Sequence, residues 1–502
     1  MSRSLFLRIG FSMLLVAASI GMISARTARA VSYCTIELTD YVVTITGSGV
    51  INGTSGVDVI KGSSGADTID GKGGDDIICS LGGADSVLGG DGNDRIDSGT
   101  NIDTVDGGAG GDVIYGGSSG DSLTGGTDAD VIYAGDGDDR VYGKSGSDVL
   151  FGGNGNDYIS GSTGSDVIYG DAGEDEISTG ARTAIGGADE MFLAAVDSDV
   201  AYGGADNDEI SGADNQDILY GEGGDDLIMG GYGADILYGV EGNDTVYGEG
   251  NSDNLSGGIG DDMIVGGDGG DYMSSDPGKD RLYGQDGADF LVGGNDGIRG
   301  SGGNGNDNVF GGDGKDNLSG GSGSDFISGG LENDLLVGDS GADKMYGGGG
   351  DDQIDGGTGD DQINDDGGVN VISGGDGDDT ITGGILNDQI SGGEGNDTIA
   401  DSSGVNTIAG DNGDDSLIGG SGKDALSGGE GDDYIAASTN DDYLDGGPGN
   451  DTLSGSNGND NLYGRDGDDE LSGGPDVDYC SGSSGVDYFV TPGDCETSTG
   501  VP

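Results

Sequence analysis

Histidine and tryptophan are both missing from the 502 residues, and proline occurs only 5 times. Without an imidazole there is no Ser-His-Asp or Cys-His arrangement for nucleophilic catalysis, and zinc loses its commonest partner for cysteine. The chain therefore reads as no enzyme. Basic residues are scarce, 17 against 96 acids, which leaves a formal net charge of -79. A field of that sign repels phosphate backbones and anionic lipid surfaces, so nucleic acid is excluded as a partner. Beyond the first thirty residues no apolar run approaches the roughly 20 residues of a membrane helix, which excludes a membrane span. Hydrophobic residues make up 32%. That is little for an ordinary closed core, yet the order of residues is too regular for disorder.

What is abundant is glycine, 119 residues, together with aspartate. Self-repulsion among the acids opposes any compact state unless cations neutralise it, and carboxylates with backbone carbonyls are hard oxygen ligands that suit Ca²⁺.

The N-terminus has Arg3 and Arg8 ahead of an apolar run from Phe11 to Ile20, followed by Ala28-Arg29-Ala30. This pattern predicts a secretory signal peptide over 1–30, a mature chain from Val31 and an extracellular protein. Losing Arg3, Arg8, Arg26 and Arg29, with no acid among the thirty residues, takes the formal charge from -79 to -83. Four cysteines remain, Cys34, Cys79, Cys480 and Cys495. Four allow three connectivities, and their placement, two near each end, favours disulfides within each end.

An aspartate recurs every nine residues. The first block carries Asp58, Asp67, Asp76, Asp85, Asp94, Asp103, Asp112, Asp121, Asp130, Asp139, Asp148, Asp157, Asp166 and Asp175. After an irregular stretch the second carries Asp199, Asp208, Asp217, Asp226, Asp235, Asp244, Asp253, Asp262, Asp271, Asp280 and Asp289. It continues through Asp307, Asp316, Asp325, Asp334, Asp343, Asp352, Asp361, Asp379, Asp388, Asp397 and Asp415. It ends with Asp424, Asp433, Asp442, Asp451, Asp460, Asp469, Asp478 and Asp487. Of 47 units only three depart, with Ile298, Asn370 and Asn406 in the marked place.

Around each aspartate the unit reads G-G-x-G-x-D-x-U-x, U being a large aliphatic, as in Gly152-Gly153-Asn154-Gly155-Asn156-Asp157-Tyr158-Ile159-Ser160. Position eight is apolar, for instance Ile60, Ile69, Ile78 and Val87. That predicts a three-residue strand pointing one side chain inward. Glycines at positions one, two and four permit positive φ and close backbone approach in a tight turn. Each unit is half a coil. The expected fold is all-β, a parallel β-roll, or β-helix solenoid, with two stacked strands per eighteen-residue coil. The expected organisation is capping strands over 31–52, β-roll blocks over 53–178 and 194–490, an irregular insertion over 179–193 and a C-terminal tail or cap over 491–502. The insertion reads as a bulge or joint between stacks.

These nonapeptides resemble the RTX, or haemolysin-type, calcium-binding repeat. The resemblance implies that the position-six aspartates named above, together with carbonyl oxygens of the glycine turns, hold many Ca²⁺ ions between successive coils. Turn propensity alone explains neither the preference for Asp over Asn at position six nor the free mixture of residue types at position five. An EF-hand reading of Asp136-Gly137-Asp138-Asp139 fails because glycine every few residues forbids the flanking helices. Ice binding would need regular outward ranks of Thr and Asn, and these are irregular. The leading function is a calcium-stabilised extracellular structural or surface-interaction rod with a cell-surface or matrix partner. The alternatives are a calcium buffer and a non-catalytic export module related to RTX toxins and proteases. Two local features complete the expectations. Tyr202, Tyr220 and Tyr238 at position nine should stack, as should Tyr115 and Tyr133. The unit with Ile298, Arg299 and Gly300, which lacks both the aspartate and the aliphatic, should be a weak spot.

Overall fold

The computed structural model describes residues 44–179, 198–490, 495 and 497–498. The expected signal peptide, Cys34, nearly all of the insertion and most of the tail lie outside the described residues. Among the described residues every regular element is a β-strand, so no helix is long and apolar enough to cross a membrane. The chain divides into two compact units, Met1–Ile159 and Ser160–Pro502.

In the first unit Val113–Ser118 pairs in parallel with Val131–Asp136, in the register Val113 with Val131, Ile114 with Ile132 and Tyr115 with Tyr133. The intervening strand, Ser122–Thr127, pairs instead with Thr104–Ala109 and Arg140–Ser145. Alternate strands thus build two parallel sheets, with an eighteen-residue step in each. The second unit repeats the scheme, for example Ile218–Gly223 on Ile236–Glu241 and Leu227–Tyr232 on Thr245–Gly250. Position eight of each strand is enclosed between the sheets: Ile114, Leu123, Ile132 and Leu150 are fully buried, as are Leu219, Ile228, Leu237 and Val246. The core is one aliphatic wide, which is why the repeat specifies so little hydrophobic residue.

The strands exceed expectation. Many run six residues, from position seven through position three of the next unit, as in Val113–Ser118 and Ile218–Gly223. The ladder passes over position one, pairing Tyr115 with Tyr133 and then Gly117 with Gly135. Position one is therefore where the chain bends without leaving the sheet. Positive φ falls at positions two and four, as at Gly108 (111°) and Gly110 (113°), and not at Gly107. The glycine at position one serves close approach alone. A Cβ added to Gly230 would lie 2.7 Å from Asp235 Oδ2 and 2.9 Å from the Gly248 carbonyl oxygen.

The insertion does not end a stack. Within the second unit Val167, Ile168 and Tyr169 pair with Val200, Ala201 and Tyr202, and the Asp166 N–H donates to Asp199 Oδ1 over a separation of 33 residues. That separation is the regular eighteen plus fifteen, so the coil resumes in register on the far side. The expected weak spot is also partly filled. Ile298 is buried, and its Cδ1 lies, with Leu318 and Val309, around the point where a Cβ on Gly300 would stand. The side chain at position six has turned into the core to replace the aliphatic missing at position eight.

Cys480 and Cys495 form a disulfide, as expected. Cys79 is disulfide-bonded; its expected partner Cys34 lies outside the described residues. The tyrosine stack is present and longer than expected: Tyr169, Tyr202, Tyr220 and Tyr238 stack at 4.9–5.0 Å between ring centroids. Tyr115 and Tyr133 are likewise stacked, and Phe151 extends them.

Candidate metal centres along the turns

The position-six aspartates form two buried ranks, one along each row of turns. Each uses one carboxylate oxygen to tie coils together. Asp112 N–H donates to Asp130 Oδ1 at 2.7 Å, Asp217 N–H to Asp235 Oδ1 at 2.8 Å and Asp226 N–H to Asp244 Oδ1 at 2.9 Å. The bond recurs every nine residues because each donor finds its acceptor one coil on, eighteen residues away except across the insertion, where the separation is 33.

The second oxygen is treated differently. Oδ2 of Asp112, Asp121, Asp130, Asp217, Asp226 and Asp235 is buried with no hydrogen-bond donor, and the same holds for many others along both rows. It faces another acceptor. Asp235 Oδ2 and the carbonyl oxygen of Gly248 crowd the same point beside Gly230, and Asp121 Oδ2 and the Ala134 carbonyl do so beside Gly116. Two acceptors in a buried pocket are each costly to leave unpaired, by about 1–3 kcal/mol, so the arrangement calls for a cation between them.

Departures from the repeat support this reading. Where the neighbouring coil offers a donor, the position-one carbonyl takes it. Ser98 Oγ donates to the Gly116 carbonyl at 2.8 Å and Ser80 Oγ to the Ser98 carbonyl at 2.6 Å. At the two asparagine units the amide replaces the carboxylate, Asn406 Nδ2 donating to Gly419 O at 3.3 Å and Asn370 Nδ2 to Gly383 O at 3.5 Å. A donor at position six closes the gap that an aspartate leaves open.

Burial makes the aspartates reluctant to ionise. Asp121 and Asp217 are pushed up to about 8, chiefly by burial and then by neighbouring aspartates, against the opposing pull of the backbone N–H each accepts. Asp112 is pushed to about 7 and Asp226 to about 6 for the same reasons. A divalent ion held there would stabilise the charged form against both the burial and the neighbouring charges that raise them. Asp58 is the exception. Its Oδ2 accepts from the Thr54 N–H at 2.6 Å and from Thr54 Oγ1 at 2.8 Å, and the Thr54 N–H foremost holds its carboxyl below the ordinary range. Asp67 Oδ2 likewise accepts from Ser63 N at 2.7 Å and Ser63 Oγ at 3.0 Å. The first aspartate of each rank is thus satisfied by protein donors.

Among the described residues no three acidic or cysteine side chains converge on one point. An ion here would draw the rest of its shell from main-chain carbonyls, which suits the flexible six-to-eight oxygen coordination of Ca²⁺ better than the strict octahedron of Mg²⁺. Position five carries a second, exposed ladder that runs the other way: Asn243 N–H donates to Asp225 Oδ1 and Asp261 N–H to Asn243 Oδ1. Its mixture of Asp and Asn hides it in the sequence, since either side chain supplies the accepting oxygen.

A parallel β-roll whose turns carry inward carboxylates between coils defines a class, the calcium-binding β-solenoids. The RTX calcium-binding nonapeptide repeat (4 copies) matches in overlapping segments across residues 52–181, 196–297 and 301–489, and the chain belongs to that family. The gaps between matches fall at the insertion and at the unit containing Ile298, Arg299 and Gly300. No curated protein matches the chain. Among solved structures it is similar to a hyperactive, Ca²⁺-dependent, beta-helical antifreeze protein from an Antarctic bacterium, with 22% identity over 54% of this chain and 83% of that one and a TM-score of 0.27.

Proposed function

We propose that the protein is a secreted, non-catalytic β-roll whose fold is completed by calcium, and that it serves outside the cell as a structural or surface-interaction module. Most of the position-six aspartates from Asp76 to Asp478 are the ligands, lending Oδ2 to an ion that is shared, where no neighbouring side chain has taken it, with a position-one carbonyl of the following coil. The observation that carries this reading is the buried Oδ2 with no donor, repeated along both rows of turns. The net charge of -79 supports it, because ions in the turns would relieve much of the repulsion that opposes folding. Export of an unfolded chain followed by folding in millimolar calcium fits the same balance, since an ion that binds only the folded state stabilises it by mass action. The proposed organisation is a signal peptide over 1–30, capping strands over 31–52, roll over 53–178 and 194–490, an insertion over 179–193 and a tail over 491–502.

Circular dichroism during a calcium titration tests the folding claim. A coil spectrum in chelator should convert cooperatively to a β spectrum, and a full β spectrum that persists in excess chelator overturns it. Recovery from the medium of a chain beginning at Val31 tests secretion.

A further inference from the structure

Three units lack the position-six aspartate, and two of them carry a second change. Where Asn370 and Asn406 replace aspartate, position one of the same unit is Asp365 and Asp401, and no other unit has an acid at position one. The charge removed from one corner of the turn reappears at another.

The structure shows where it goes. Asp365 points back to the preceding coil, where its Oδ2 and Asp352 Oδ2 both crowd the space a Cβ on Gly347 would take. Asp401 does the same with Asp388 beside Gly383. All four carboxyls are buried, between 1% and 4% exposed. Each spends its Oδ1 on a backbone donor: Asp365 on Gly367 N–H at 2.8 Å, Asp401 on Ser403 N–H at 2.9 Å, Asp352 on Asp334 N–H at 2.8 Å and Asp388 on Asn370 N–H at 2.7 Å. The four Oδ2 atoms have no donor. Two buried carboxylates facing each other need a cation or a shared proton.

We propose that Asp352 with Asp365, and Asp388 with Asp401, form two divalent-cation sites distinct from the ordinary turns of the roll, binding Ca²⁺ more tightly and filling first. This rests on the calcium reading above. An ordinary turn offers one carboxylate and otherwise neutral carbonyls, whereas each of these offers two carboxylates, and affinity for a hard cation rises with the charge of its ligands. The asparagines complete the arrangement. By donating to the Gly383 and Gly419 carbonyls, Asn370 and Asn406 let the next step of the stack close without an ion. Charge spread over two turns elsewhere is gathered into one here.

The test is a calcium titration of the full chain, stripped of metal and competing with a chromophoric chelator. The wild type should show two ions per chain bound at least about tenfold more tightly than the rest. The D365G/D401G variant should lose that tight class while keeping the weaker one and an unchanged β spectrum in saturating calcium. Should it fail to fold, D365G/N370D/D401G/N406D, which restores the ordinary repeat in both units, should fold and show a single class. A wild type that titrates as one class means that the pairs hold protons, and it overturns the proposal, as do variants that retain the two tight ions. Absence of calcium binding in every form would bring down the calcium reading as well, and is a separate outcome.

Discussion

Tyr169 and Tyr202, 33 residues apart in the chain, lie stacked with ring centroids 5.0 Å apart and planes 4° from parallel. They sit on either side of the insertion, one coil apart. Deleting residues 180–194 would put Asp175 and Asp199 at the ordinary nine-residue spacing. The shortened chain should fold at the same calcium concentration, with stability changed by no more than about 1–2 kcal/mol, since loop-closure entropy depends weakly on length. Calcium-dependent circular dichroism with urea unfolding measures this, and loss of the β spectrum would show that the insertion is part of the fold.

Asparagine at position six should trade calcium for independence from it. In D235N the amide can donate to the Gly248 carbonyl as Asn406 does to Gly419. One buried oxygen without a donor disappears, so in chelator the variant should be more stable than the wild type by about 1–3 kcal/mol. With calcium it should bind one ion fewer. Urea unfolding in chelator and ion counting by atomic emission give the two numbers.

Protons should substitute for calcium. Folded, metal-free carboxyls such as Asp121 and Asp217 are raised to about 8 and Asp112 to about 7, against an ordinary value of 3.8. Between those limits the folded form binds more protons than the unfolded chain. The stability this supplies is complete below about pH 4 and is lost as pH rises through 6 to 8. In chelator, β structure should therefore increase on acidification over that window, and the calcium midpoint should rise as pH falls. A midpoint that does not move between pH 8 and pH 6 contradicts the assignment of these carboxyls as ligands.

Val240 holds φ at 91°, a left-handed conformation that a β-branched residue adopts only under strain. V240G should stabilise the calcium-loaded protein by about 1 kcal/mol, less whatever backbone freedom glycine gains in the unfolded chain. Equilibrium urea unfolding in saturating calcium decides the sign.

The Cys480–Cys495 bridge closes a separation of 15 residues. Its loss in C495S should cost about 3 kcal/mol in the chain-entropy view. Since coils of a solenoid touch only their neighbours, amide exchange should quicken in the last coils and stay unchanged near Ile228.

The period, the two faces of each coil and the inward aliphatic were legible because a nine-residue repeat states its geometry once per unit. Ile114, Ile228 and Leu237 stand where the pattern put them. Strand length was not legible, because glycines at positions two and three read as turn although their backbone still pairs across the sheet. The role of position one was half legible: glycine there marks a crowded place, but that the crowding is by Asp Oδ2 and a carbonyl needs coordinates. Asp365 and Asp401 were missed because attention to position six treats Asn370 and Asn406 as mere losses. The signal that could have found them was the compensating acid five residues earlier in the same two units. Ile298 was misread for a related reason, since a residue lost from one position can be replaced from another only where the fold brings the two together.

The bonds that carry the repeat from coil to coil join residues eighteen places apart, and a strand within a sheet pairs only with the one before and the one after. Nothing in that neighbour-to-neighbour scheme counts how many coils there are. A gene encoding near-identical units can gain or lose an eighteen-residue step by unequal recombination, and the product closes up with all of its contacts intact. Length is the least constrained property of such a protein, and the coils marked out by their own chemistry, at Ile298, Asp365, Asp401 and Cys480, are the few whose order in the chain can matter.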